Sequence, residues 1–286
     1  MQQIIAGVDI GGTHVTVCLV DINKGELLKY SLVRTQVDPS LAKKDIIHIW
    51  ANAIRESYRK IRMPVGKIGI AMPGPFDYEK GISYIRGLHK FDHLYGENVK
   101  DLLADELGVR AVNILMINDA SAFLLGELKC GAGLGFHNLV GITLGTGLGS
   151  ASFFDGKIHE TDLWNIPYKE GQAEDYISAR WLIDTYENYT NEKIPGVKLI
   201  ADCVTSDKNA GKVFEEFGKN LGKVLIQNYA HSSPELVIIG GNIAKAWDCF
   251  IPSVKHVLAE NGIAFLLKPA ALGESAALIG GSFLWR

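Results

Sequence analysis

IIAGVDI-GGT-HVTVCLVD, residues 4–21, is a pair of alternating apolar runs joined by three small residues. That is the pattern of an antiparallel hairpin whose turn carries almost no bulk. Asn23-Lys24-Gly25 marks a second turn and ELLKYSLVR, residues 26–34, a third strand, so the chain opens on a three-stranded antiparallel unit. Residues 138–160 repeat the design with NLVGITL, the turn GTG at 145–147, LGSASFF, the hairpin signal Asp155-Gly156 and KIH. One architectural unit occurs twice. Strands and helices mixed in this order predict an α/β fold with a cleft between two related lobes.

Between the repeats, Ile46, Ile47, Trp50, Ile54, Tyr58 and Ile61 recur near one helical face, with Ser40 as the expected N-cap. KIGIAMP, residues 67–73, reads as a short buried strand. A helix over 98–107 is bracketed by Asn98 and Gly108, and VNILMIN, residues 112–118, reads as a strand leading into a helix at Asp119. The first lobe is expected to span 1–118, joined by the C-terminal helix 273–286, and the second 119–272. Helical patterns at about 173–189 and 209–230 and the strand ELVIIGG, residues 235–241, fill the second half.

A chain of 286 residues, 47% hydrophobic, can bury a full core in two lobes. Its net charge of -3 gives no basic excess for a nucleic-acid backbone or an anionic membrane. No apolar run approaches the ~20 residues of a membrane span, and the start lacks a basic leader, so the expectation is a cytoplasmic protein. Cys18, Cys130, Cys203 and Cys249 are too scattered for a disulfide framework or a zinc knuckle.

The glycine turns suggest the chemistry. Asp9 ends the first strand, and the following Gly11, Gly12 and Thr13 let backbone approach an anion closely, since glycine lacks Cβ and tolerates positive φ. Asp9 can hold Mg2+ through water, because magnesium dehydrates reluctantly. Gly145-Thr146-Gly147 stands at the equivalent point of the second unit, as a second wall of one phosphate site. A third site, Gly240-Gly241, lies between a strand and a helix, where adenine or ribose can rest on bare backbone. No Walker loop or opening dinucleotide fingerprint is present. Asp119 after its strand is either a helix N-cap or a general base. Its neighbour Asn118 supplies an amide beside the carboxylate, a pairing suited to adjacent sugar hydroxyls. His89 and His159 are alternative acid-base groups, and Trp164 and Tyr168 either shape a pocket or pack.

In this order, Asp9–Thr13, Met72–Asp77, Asn118–Ala122 with Gly126-Glu127, Gly145–Gly149, Gly240-Gly241 and Leu272–Ala276 make the chain resemble the repressor, open-reading-frame and kinase (ROK) group of sugar kinases. The group belongs to the actin and hexokinase superfamily, with its ribonuclease H-like lobes. The resemblance implies ATP and Mg2+ as cofactors, phosphorylation of a hexose or N-acetylhexosamine, and a homodimer. It makes Asp119 the catalytic base and Gly74, Asn118, Asp119, Glu160 and Glu174 sugar ligands. Two departures stand out. Leu163 replaces the histidine of the family's Glu-x-Gly-His, and DLWNIPYKEGQAEDYIS, residues 162–178, lacks the cysteine-rich zinc segment, so no zinc site is expected. The alternative of a regulator or catalytically idle sensor is weakened by the first phosphate strand, which begins within ten residues of Met1, where regulators of the family carry a helix-turn-helix.

Overall fold

The computed structural model describes residues 3–87 and 90–286. The chain forms two compact units, Met1–Leu134 with Glu274–Arg286, and Gly135–Gly273. Each has its own apolar core.

In the first unit Ile4–Ile10 and His14–Asp21 pair antiparallel with Ile10 opposite Val15, which leaves residues 11–13 as the turn tip. The third strand is broken where the sequence read it as continuous. Glu26–Leu27 and Val33–Gln36 both pair with His14–Asp21, and a 3-10 turn, Lys29–Ser31, separates them. Buried Ser31 supports the break, its hydroxyl donating to Leu28 O at 2.7 Å and accepting the Leu19 N–H at 2.8 Å. A side chain thus satisfies backbone groups that the ladder leaves unpaired. On the other side of Ile4–Ile10, Ile68–Met72 and then Ile114–Asn118 add in parallel.

The helix Lys43–Arg59 buries Ile46, Ile47, Trp50, Ile54 and Tyr58, the face marked by their spacing. Its start differs from expectation. The N-cap is Ala42, because Ser40 is engaged upstream, where its N–H and hydroxyl both bond Asp38 Oδ1 at 2.9 and 2.7 Å. The helix Val99–Leu107 is capped by Asn98, which accepts the Asp101 N–H, and stops at left-handed Gly108.

The lobe boundary expected at 118 is displaced, since the helix Asp119–Cys130 belongs to the first unit. Its partner is the last helix, Ser275–Phe283, and the two meet backbone to backbone. A side chain at Gly126 would run into the Ala276 carbonyl, and one at Gly280 into that of Ala122. Glycine at both places permits the approach, and the contact outweighs sequence proximity to the second unit.

The second unit repeats the first sheet. Its strand order is Lys157–Glu160, Leu148–Phe154, Leu139–Leu144, Leu236–Gly240, Leu266–Pro269, three antiparallel and then two added in parallel. Asp155 and Gly156 both have positive φ, 52° and 75°, as a two-residue hairpin turn requires. The pattern at 173–189 resolves into one turn, Ala173–Tyr176, and a helix, Ala179–Thr190, restarted by the Ser178 side chain accepting the Trp181 N–H. Lys208–Tyr229 and Trp247–Glu260 complete the core, where Phe217 meets Phe250 edge-on at 5.6 Å. Among the described residues no helix is long and apolar enough to cross a membrane.

Candidate active site

The first glycine turn closes when the Gly11 N–H donates to His14 O at 2.9 Å. Neither Gly11 nor Gly12 has positive φ, and neither do Gly145 and Gly147. The conformational reason read from the sequence therefore does not apply to these turns. What glycine supplies here is room. A side chain at Gly11 would meet the His14 ring at 2.9 Å, and one at Gly12 the Lys90 Cε at 3.3 Å.

Asn118 ends its strand and caps the helix that follows, its Oδ1 accepting the N–H groups of Ala120 at 2.9 Å and Ser121 at 3.1 Å. The N-cap function left open for Asp119 thus belongs to its neighbour. Asp119 is the first helical residue, and its Oδ1 shares the Ala120 N–H at 2.9 Å. Its own backbone N–H also supports the ionised carboxylate. The helix N-terminus favours a carboxylate at this place.

The electrostatics link Asp119 to the first turn. The Asp9 carboxyl is raised to about 6, chiefly by burial and next by the charge of Asp119, with Arg34 opposing and Glu274 adding a smaller rise. Protein mass around Asp119 also raises its carboxyl, against the Ala120 N–H and the Lys90 ammonium, although the residue is exposed and water moderates the rise. Two carboxylates that repel one another at the ends of strands form a site that a hard cation relieves, so the pair fits Mg2+. Among the described residues no group of three or more His, Cys, Asp or Glu gathers as a metal cage.

Two first-unit residues escaped sequence reading. Lys90 is held over Gly12 because the next residue, Phe91, is fully buried with its ring edge-on to Trp50 at 5.1 Å. Tyr78 lies beside Gly74, where an added side chain would meet its hydroxyl at 3.3 Å. A lone lysine and a lone tyrosine in loops carry no pattern that would have marked them. His89 lies outside the described residues.

In the second unit, the Gly145 N–H donates to Gly147 O at 3.0 Å, and Gly145 O accepts the Ala179 N–H at 2.9 Å. A side chain added at Gly145 would touch nothing within 4 Å, so the turn faces open space. Glu174 Oε2 accepts the Leu148 N–H at 2.8 Å, directly under Gly147. Gly240 lies opposite Thr143 on the neighbouring parallel strand. Gly241, at φ +85°, packs its bare Cα on the Leu144 backbone, where a side chain would collide. The second and third glycine motifs therefore touch, at the C-terminal ends of adjacent strands, the usual ligand position in parallel sheets. Thr146 is the middle residue of this turn. Glu160 ends the edge strand opposite Ala151 and is exposed, as is His159.

The segment without cysteines has other supports. Leu163 is buried, Trp164 is exposed, and Tyr168 donates to Asn220 Oδ1 at 3.1 Å while meeting Tyr176 edge-on at 5.4 Å. Gln172 and Asp175 form a reciprocal capping box around the single turn that carries Glu174.

The pattern described as ROK family matches residues 5–162 and 169–286. The unmatched piece between them lies in the cysteine-free segment. A glucokinase from Thermotoga maritima is 30% identical, over 90% of this chain and 87% of its own. A polyphosphate glucokinase from Mycobacterium tuberculosis is 27% identical, over 96% of this chain and 89% of its own. A ROK family glucokinase from Streptomyces griseus, solved in complex with glucose and AMPPNP, has the same fold, with a TM-score of 0.81 at 23% identity over 99% of both chains. Matched on both sides of that short gap and along nearly its whole length, the chain belongs to the ROK family.

Proposed function

We propose that the chain transfers the γ-phosphoryl group of ATP to a hydroxyl of a hexose or N-acetylhexosamine. The observation that carries this reading is the division of labour at residues 118 and 119. Asn118 caps the helix, which leaves Asp119, exposed at the first helical position, available to a ligand. Asp119 takes the proton of the attacking hydroxyl, and its raised proton affinity suits a general base. Phosphoryl transfer otherwise needs positioning and charge neutralisation. Gly11, Gly12 and Thr13 in the first unit and Gly145, Thr146 and Gly147 in the second receive the phosphates, and Gly240 and Gly241 the adenosine. Asp9 holds Mg2+ through water, and the ion neutralises phosphate charge when bound. Gly74 and Asn118 in the first unit and Glu160 and Glu174 in the second receive the sugar. The family resemblance extends this reading to a cytoplasmic homodimer, which light scattering of the purified chain tests.

A coupled assay with ATP over glucose, fructose, mannose and the N-acetylhexosamines tests the reaction. Sugar-dependent turnover is expected. Because one relative is named a polyphosphate glucokinase, inorganic polyphosphate replaces ATP in a parallel arm. Sugar and nucleotide binding without transfer in either arm would make the chain a sensor instead.

A further inference from the structure

Strands Ile68–Met72 and Ile114–Asn118 lie side by side with Met72 opposite Asn118. Each leads into part of the proposed sugar site, Gly74 beyond the first and Asn118-Asp119 at the end of the second. One side chain spans the two strand ends. The Tyr78 hydroxyl donates to Met72 O at 2.9 Å and accepts from Asn118 Nδ2 at 3.3 Å. It also lies 3.3 Å from where a Gly74 side chain would begin. The Tyr78 ring stacks on Phe76 with centroids 5.1 Å apart and planes inclined by 28°, which restricts where the hydroxyl can point.

The consequence falls on Asn118. Its carbonyl oxygen is committed to the Ala120 and Ser121 N–H groups, so the NH2 group faces Tyr78. An amide nitrogen has two N–H donors. One goes to Tyr78, and the direction of that bond sets the direction of the other.

We infer that Tyr78 is a positioning and specificity-determining residue of the sugar site: its hydroxyl orients the Asn118 amide so that this position donates to a sugar oxygen of one particular configuration. The inference rests on the kinase reading above. Tyr78 acts through Asn118 and takes no part in proton transfer.

Tyr78→Phe keeps the ring and its stack and removes only the hydroxyl. Losing one neutral hydrogen bond should raise the KM for sugar about three- to tenfold while the KM for ATP stays within about twofold. The spread of kcat/KM between sugars that differ at a single hydroxyl should narrow. In an Asn118→Ser background, where serine still caps the helix but has no NH2 group, the added Tyr78→Phe change should have no further effect on sugar KM. An unchanged sugar KM, an equal rise in both Michaelis constants, or additive effects in the double variant would overturn the inference while leaving the kinase reading intact. A parent chain that transfers phosphoryl to no sugar would overturn the kinase reading and this inference with it.

Discussion

The Glu174 carboxylate and the Leu148 N–H are 2.8 Å apart, so a residue proposed as a sugar ligand is also a strut of the second glycine turn. One oxygen holds the turn and the other is proposed to take a sugar hydroxyl, and two substitutions separate these duties. In Glu174→Gln the amide oxygen can still accept from Leu148, while an NH2 group replaces the second acceptor. The sugar KM should rise more than the KM for ATP. Glu174→Ala removes both duties and should raise both constants. An unchanged sugar KM in Glu174→Gln, with the losses confined to Glu174→Ala, would show that the carboxylate only supports the turn.

Asp119→Asn tests the base. Asn118 remains as the cap, so the variant should melt close to the parent. Turnover should fall at least about a hundredfold, within the ~10²–10⁴ range of general-base contributions. Sugar affinity should change less, because an amide still accepts a hydrogen bond. A variant that keeps more than about a tenth of parental turnover would remove Asp119 from this role.

Asp9 ties stability to pH. Its carboxyl moves from the ordinary 3.8 to about 6 in the folded chain, so the folded state binds this proton more tightly than the unfolded state does. The contribution of that proton is fully present below about pH 4 and is lost as pH rises through about 6. At neutral pH the ionised group costs ~3 kcal/mol of folding free energy in metal-free protein. Asp9→Asn should therefore raise the metal-free melting temperature at pH 7 and weaken ATP use, and the gain should shrink by pH 4. In Asp119→Asn, with the neighbouring charge gone, the Asp9 carboxyl should titrate at lower pH, measurable by NMR. A melting temperature unchanged by Asp9→Asn at either pH would contradict the burial argument.

The glycine sites should respond differently to bulk. Gly145→Val projects into open space and Gly12→Val meets only the flexible end of Lys90, so both variants should fold. Both should show a raised KM for ATP, since the new side chains stand where phosphates are proposed to lie. Gly241→Ala meets backbone and positive φ together, and should destabilise the fold by ~2 kcal/mol or more. Urea denaturation of the three variants beside their ATP kinetics checks the contrast. A stable Gly241→Ala would show that the Leu144 backbone can give way.

Much of the fold was legible because alternation and glycine turns are local signals. The opening hairpin, its recurrence at residues 138–160, and the Asn98 and Gly108 boundaries could be read from a few neighbouring residues. What could not be read depends on distant partners. Ser31 breaks a strand because Leu19 and Leu28 meet it. The helix at Asp119 joins the first unit through Gly126 and Gly280, a close approach that local periodicity does not encode. In the site, Asp119 and the glycine motifs stood out as clustered chemistry. Tyr78 and Lys90 did not, because their place is set by Met72, Asn118 and Gly12 rather than by any spacing around themselves.

The helix Ser275–Phe283 follows the whole second unit in chain order, yet it lies against Gly7, Gly69 and Gly126 of the first unit. On the ribosome, the first unit's sheet therefore emerges with glycine backbone uncovered on one face and waits through translation of the whole second unit. Completion of the first unit becomes a late docking step, delayed until the second unit that interrupts its sequence has been made. Chains arrested before Ser275 should leave residues 3–134 open to protease while residues 135–273 resist it. Protection of the first unit in such nascent chains would show that its sheet does not need the late helix.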